Sequence, residues 1–333
     1  MRPSQSEKMR ILVTGATGPY GAHFSKFCLE RGNDVFSIQH DTHPHDSASL
    51  LGIKDRITWS TGDIRDSNFL ALLLAQWDIQ AVAHFAAKPL VRTSTVVVEP
   101  IFSVNAMGTV ALLDAVKQVA AKRKVHFLMA STDKTYGHAG DVPYTENTPL
   151  MGSSAYEASK IAAEVACRAY HAHGLVPHLV ISRSCNVVAT ADLNWRLVPN
   201  SVRALLCGVP AKVYTSGQYV REYMHISDAV EAQYLLLLRA DEYHGQAFNI
   251  GSGFTATQEQ VIEHIHREHF PEGRIERITP PDHHFVEIAY QKLNCDKLKK
   301  ALGWAPKHTF AEAVTDVVNF WKAHRELAPW SLL

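Results

Sequence analysis

The sequence carries no surplus of charge. Lys plus Arg and Asp plus Glu are 33 each, for a formal net charge of +0 with histidine neutral. Without a basic excess there is no footprint for the phosphates of a nucleic acid, and there is no acidic tail, so the expectation is small-molecule chemistry. Long apolar runs are also missing. Although 46% of the residues are hydrophobic, no run approaches the roughly 18 residues of a membrane span, and the chain reads as soluble, with no membrane partner. Cysteine is scarce. Cys28, Cys167, Cys185, Cys207 and Cys295 are scattered, odd in number and form no CxxC pair, which fits a reducing compartment. The opening MRPSQSEKMR lacks the apolar stretch of a secretory signal, so a cytoplasmic protein is expected.

Histidine, by contrast, is plentiful at nineteen. HIHREHF (264–270) and DHHF (282–285) invite a metal reading, and His266 and His269 can share a helix face. No cysteine or carboxylate completes a metal-type spacing, so solvated histidines and no metal are expected.

With 333 residues the chain has room for two domains, or one with a large lobe. MRILVTGATGPYGAHFSKFCLERG (9–32) reads as strand, glycine-rich turn and helix. Gly15, Gly18 and Gly21 are spaced to tighten the turn, admit a ligand to the backbone and pack helix on strand, leaving the helix N-terminus for a pyrophosphate. The alternative is an ordinary tight turn. Strand-like runs at 34–39, 56–61, 81–87, 124–130 and 178–183 alternate with helical stretches at 67–76, 104–122 and 155–174. Such alternation predicts an α/β fold, a doubly wound parallel sheet of the Rossmann type. From about residue 186 the pattern loosens among Pro199, Pro210, Pro271, Pro280, Pro281 and Pro306. The expected division is a dinucleotide-binding domain over 1–185 and a smaller α/β substrate lobe over 186–333, interleaved with it.

Asp63, in GDIRD (62–66), can accept from an adenine amino group or simply cap a helix. The second strand ends Gln39-His40-Asp41, where an NAD site usually has a carboxylate for the ribose. Gln39 takes that slot and no arginine awaits a 2′-phosphate, so NAD is expected, with NADP left open. Tyr156 and Lys160 are four apart at the start of a predicted helix, on one face about 6 Å apart along the axis. An ammonium beside a phenol stabilises phenolate and makes a base that works near neutral pH. ASTDKTYG (130–137) sets hydroxyls, a carboxylate and an ammonium side by side where an apolar strand ends, as either a solvated turn or a chemical cluster.

Taken with TGATGPYG (14–21), HFAA (84–87), NAMGT (105–109) and YEASK (156–160), these segments resemble the extended short-chain dehydrogenase/reductase family. Within it the chain is most similar to nucleotide-sugar 4,6-dehydratases of the CDP-glucose type, through AAKPLVRTS (86–94), EPIFSVNAMGTV (99–110), STDK (131–134), RSCNVVATADLNWRLVPNSVRAL (183–205) and IAYQKLNCDKLKKALGWAP (288–306).

The resemblance implies a three-step reaction: oxidation at sugar C4, loss of water across C5–C6, and return of the hydride to C6. It implies Thr132 at the sugar O4, Asp133 as acid for the C6 hydroxyl, Lys134 as base for C5, and Tyr156 with Lys160 for the C4 oxidation. Cofactor contacts are expected at Gly15, Thr17, Gly18, Tyr20, Gly21, Asp63, Ile64, Ala86, Ala87, Tyr156 and Lys160. Substrate contacts are expected at Lys88, Asn105, Asn186 and Arg221, the last as a clamp on the diphosphate. The chain departs from the pattern at Lys88 and at Ala189-Thr190-Ala191. A 4-epimerase would share fold, cofactor, Tyr156 and Lys160 but needs no acid/base pair at 133–134; a cofactor-sensing regulator would need no catalytic groups. The resemblance also implies a homodimer, with the 104–122 and 155–174 helices pairing across a two-fold axis.

Overall fold

In a computed structural model, described here for residues 8–42, 45–89, 98–214, 219–278 and 288–328, the apolar run RILVT is buried and forms strand β1 (Arg10–Thr14). Of the residues singled out above, 1–7, 90–94 and 280–285 lie outside the described residues. Strand β1 pairs in parallel with β2 (Asp34–Gln39) on one side and β4 (Ala81–His84) on the other. Outward from these, β3 (Thr58–Thr61) pairs in parallel with β2, and β5 (His126–Thr132) with β4. With β6 (Leu179–Ser184) and β10 (Ala247–Ile250) the sheet has seven strands in the order β10-β6-β5-β4-β1-β2-β3. The chain winds outward from β1 in one direction and then, through β4, in the other. This is the doubly wound Rossmann arrangement, whose crevice opens at the carboxyl ends of β1 and β4.

By contact, the chain divides into two compact units. The first holds Met1–Ser131, Ser154–Ser182 and Val230–Ala247. Its core joins Leu12, Val82 and Phe127 of the strands to Leu70 and Leu112 of the helices Ser67–Gln76 and Gly108–Ala120. The second unit holds Thr132–Ser153, Arg183–Ala229 and Phe248–Leu333. There β7 (Asn186–Val188), β9 (Val220–His225) and β11 (Thr255–Thr257) form a sheet in the order β11-β9-β7, and β8 (Ala211–Tyr214) pairs with β12 (Ile275–Ile278). Val202, Ile262, Val314 and Trp321 fill its core. Among the described residues no helix is long and apolar enough to cross a membrane.

Local chemistry explains where the elements stop. Ser154 opens the helix Ala155–Ala172 through a capping box: its hydroxyl accepts from Glu157 N at 3.2 Å, and Glu157 Oε2 accepts from Ser154 N at 3.0 Å. Several boundaries differ from expectation. Lys54–Arg56 is a 3-10 turn held by Trp59 Nε1 donating to the Lys54 carbonyl, so β3 starts only at Thr58. Strand β4 ends at His84, and β5 runs on to Thr132, so Ser131 and Thr132 are strand residues. The stretch expected as one helix over 104–122 is a short helix, Glu99–Phe102, a π turn, Ser103–Met107, and the helix Gly108–Ala120. At Gly108 a Cβ would come within 2.9 Å of Ile64, so the absence of a side chain lets the helix start against the segment after β3.

Two of the three turn glycines are required by packing inside the chain. Gly15 has φ +76° and a Cβ there would stand 2.7 Å from Ala86 N, while a Cβ on Gly21 would stand 2.3 Å from Gly15 O. Both obstacles are backbone, which cannot swing away. Gly21→Ala is therefore expected to lower unfolding stability by about 2–4 kcal/mol, read as a lower urea midpoint with an unchanged slope. A variant as stable as the parent would show that the helix can move off the turn at no cost.

Candidate active site

In the first unit, a line of buried hydrogen bonds begins at the end of β1. Thr14 Oγ1 meets His84 Nδ1 at 2.7 Å, and His84 Nε2 meets Thr109 Oγ1 at 2.9 Å. Thr109 gives its proton to the Asn105 carbonyl, so its oxygen accepts from His84 Nε2–H. That fixes the imidazole tautomer, leaving Nδ1 to accept from Thr14, whose oxygen in turn accepts from Ala86 N at 3.2 Å. The glycine turn, the end of β4 and the π turn are thus tied together. His84 is fully buried, and burial pushes its imidazole down to about 3, so it stays neutral.

Asn105 extends the line. Its Oδ1 accepts from Lys88 N at 2.7 Å, and its Nδ2 donates to the Lys88 carbonyl and to Ser159 Oγ. Ser159 donates onward to the Tyr156 carbonyl. Both ends of the Asn105 amide are engaged within the chain and it is 1% exposed, so it holds the backbone of Lys88 and the turn that bears Tyr156. The Lys88 side chain itself is exposed.

Lys160, one turn beyond Tyr156, is buried and donates to the Ala130 carbonyl at 2.7 Å. Burial lowers its ammonium to about 8, against the pull of the nearby Glu164 carboxylate. Glu164, fully buried, accepts from Ser131 Oγ at 2.6 Å and from Arg168.

At the glycine turn, the helix Pro19–Glu30 begins on Gly18 with no side chain capping it. Among the described residues, a Cβ on Gly18 would meet nothing nearer than Gly15 O at 3.5 Å. Packing within the chain does not demand this glycine, yet its bare backbone and the uncapped helix start suit an approaching pyrophosphate. Tyr20 stacks on Phe85 at 5.1 Å, which walls the turn beside Ala86 and Ala87, while Thr17 holds Ser47 N through its carbonyl. Asp63 and Ile64 follow β3. Asp63 is gripped by the Arg65 guanidinium, whose hydrogen bonds hold the carboxyl down to about 2. Gln39 ends β2 as expected, and His40 pairs with Asp41 at 2.9 Å.

In the second unit, a 3-10 turn, Asp133–Tyr136, follows Thr132, whose hydroxyl accepts from Lys134 N and donates to Asp133 Oδ1. Asp133 is 1% exposed and its Oδ2 has no hydrogen-bond partner among the described residues. Burial raises its carboxyl above the usual carboxylate range, opposed by the positive charges of Lys134 and Arg221. Lys134 Nζ donates to Gln291 Oε1 at 3.1 Å. The turn rests on a buried polar cradle, in which Tyr136 donates to Asn249 Oδ1 and Arg183 donates to Tyr136 Oη. Arg221 lies on β9 and is buried, and Asn186 on β7 donates to the Glu222 carbonyl. His84, Thr109, Ser159, Gln291 and Arg183 all lie in segments that carry the resemblance, which gives their place but no role, and the partner of Gln291 is 157 residues away.

A family model described as GDP-mannose 4,6 dehydratase matches residues 12–317. The chain belongs to that family. A low-salt glycan biosynthesis protein of Haloferax volcanii is 31% identical over 320 residues, covering 94% of this chain and 98% of its own. A dTDP-glucose 4,6-dehydratase of an Actinoplanes species is 30% identical over 330 residues, covering 95% and 99%. The solved dTDP-glucose 4,6-dehydratase DesIV of Streptomyces venezuelae, with NAD bound, superposes with a TM-score of 0.85 at 27% identity, covering 96% of this chain and 98% of that one. The chain is thus an enzyme of the dehydratase/epimerase group, and its Rossmann fold is that of its relatives.

His84 makes the site of this GDP-mannose 4,6 dehydratase family member sensitive to acid. The unfolded chain takes up a proton on this imidazole below about pH 6.5, whereas the folded chain resists it down to about 3. Stability is whole above 6.5 and is lost as the pH falls through that window, by on the order of 2 kcal/mol at pH 5. Urea unfolding at pH 7 and pH 5 is expected to show this loss in the parent and a smaller one in His84→Gln. Equal losses would mean that His84 is not the group responsible.

Proposed function

We propose that the chain is a nucleotide-diphosphate-sugar 4,6-dehydratase that uses NAD as a bound cofactor and yields a 4-keto-6-deoxy sugar. The observation that carries this reading is the turn after β5, which sets a buried carboxyl with an unpartnered oxygen, Asp133, beside a lysine, Lys134. Elimination of water needs one group to take a proton and another to give one on the same edge of the substrate. Lys134 takes the C5 proton, the C5–C6 π bond forms as the C6–O bond breaks, and Asp133 gives its proton to the departing hydroxyl. Asp133 must begin protonated, and its burial favours that form. Thr132, bonded to both neighbours, offers its hydroxyl to the sugar O4.

Tyr156 takes the O4 proton, with the Lys160 ammonium favouring its phenolate. The Lys160 bond to Ala130, two residues before the end of β5, supports that part of the reading. The bare Gly18 backbone and the uncapped start of Pro19–Glu30 fit a dinucleotide pyrophosphate. NAD, when bound, supplies a reversible hydride acceptor, so the sugar is oxidised and reduced with no net redox change. Asp63 and Ile64 are assigned to the adenine side; Arg221, Asn186 and Lys88 are assigned to the substrate, with Arg221 on the diphosphate. 4-Epimerases share this fold, but they have no use for an acid and a base at 133–134.

Purified protein incubated with CDP-glucose, dTDP-glucose, GDP-mannose and UDP-glucose is expected to convert one of them to a product lighter by one water, by mass spectrometry. Lys134→Met and Asp133→Asn should each lower that conversion by about 10²–10⁴-fold and leave reduced nicotinamide on the enzyme, while Tyr156→Phe should prevent even the reduction. Unchanged turnover in both variants at 133 and 134 would overturn the dehydratase reading in favour of a 4-epimerase.

A homodimer is also proposed. Met107 is 58% and Val165 56% exposed, on the stretches expected to pair with a second copy, and burying them would remove apolar surface from water. Sedimentation velocity should give the mass of two chains at micromolar protein; a monomer there would refute it.

A further inference from the structure

Lys134 is held by a residue from far along the chain. We propose that Gln291 is a positioning residue that aims Lys134 at the substrate, an inference that rests on the reading of Lys134 as the C5 base. Gln291 is fully buried, and its Oε1 accepts from Lys134 Nζ at 3.1 Å. An ammonium offers only donors, so the amide must turn its oxygen toward the lysine. Its other end, Nε2, is buried with no hydrogen-bond partner among the described residues. A buried amide half satisfied in this way is unfavourable where packing alone is needed, and an apolar side chain of similar volume would fill the place without that penalty. What the glutamine adds is an acceptor for Lys134.

The acceptor stands on a clamped backbone. Val220 N donates to the Ala289 carbonyl and Gln291 N to the Val220 carbonyl, fastening the segment to β9. On the other side Tyr144 N donates to the Lys292 carbonyl and Asn294 N to the Tyr144 carbonyl. Leu293 N donates to Glu222 Oε2 at 2.7 Å, which anchors the same segment to a buried carboxyl. Residues 289–294 therefore offer Gln291 as a fixed post, while Lys134 sits on a flexible four-carbon stem that needs one. The post is neutral. A carboxylate in its place would hold the lysine in its charged form and hinder it as a base, whereas an amide orients the nitrogen and still lets it lose its proton.

The test follows the two halves of turnover by stopped flow, using whichever of the four nucleotide sugars the holoenzyme converts. In Gln291→Leu, the rise of reduced-nicotinamide absorbance should keep its parent rate, which also reports a folded enzyme. Its decay, which follows elimination, should slow by on the order of 10–100-fold with KM nearly unchanged. Gln291→Glu restores an acceptor and should recover the decay at high pH, with the half-maximal pH moved up by about one unit. A role in packing alone would move no pH profile. Parent-like decay in Gln291→Leu, or an unshifted profile in Gln291→Glu, overturns the inference; if the leucine variant does not fold, the glutamate profile decides alone. Lys134→Met separates the two levels. If it blocks decay while Gln291→Leu does not, only the role of Gln291 falls; if it leaves decay intact, the assignment of Lys134 falls and takes this one with it.

Discussion

Everything in the first unit depends on how closely two backbones approach at the carboxyl ends of β1 and β4. Gly15 lies against Phe85 and Ala86, and Gly21 lies against Gly15, with no room for a Cβ at either place. That double contact bends the chain from β1 into its helix and brings the helix N-terminus to the point where the winding of the sheet reverses. Gly18 is left open by the same packing. One turn thus serves packing with two glycines and leaves the third bare.

From that contact the buried polar groups follow in order. Thr14 and Ala86 fix one side of His84, Thr109 fixes the other, and Asn105 carries the line to Ser159 and the Tyr156 backbone. Each atom in the line has one role, which determines the imidazole tautomer without reference to a ligand. Burial disfavours charge within each unit in the same physical way. In the first it keeps His84 neutral and brings the Lys160 ammonium within reach of neutral pH, and in the second it favours the protonated form of Asp133. Acid and base character in each unit is therefore a consequence of where the chain excludes water.

In the second unit the same economy of backbone appears around the turn after β5. Tyr136, Arg183 and Asn249 support the turn from below, and the segment 289–294, fastened to β9 and to Tyr144, brings Gln291 to Lys134. Both supports are assembled from stretches more than a hundred residues from the turn, or nearly fifty in the case of Arg183.

What the sequence determined by itself was whatever short-range chemistry dictates. The helix Ser67–Gln76 and the strand Asp34–Gln39 begin and end where their residues say, because periodicity and flanking caps are local. The glycine turn was legible for the same reason, as were Tyr156 and Lys160 on one helix face and a polar cluster at a strand end. Tertiary structure alone decided the rest. The π turn at 103–107 and the two extra residues of β5 reflect neighbours that no local pattern encodes. Asn105 was visible as a site residue, but its engagement with Lys88 and Ser159 was not, and neither His84 nor Gln291 announced a role. A residue's period is written in its neighbours along the chain, whereas the partner of a buried hydrogen bond is whichever group packing delivers to it.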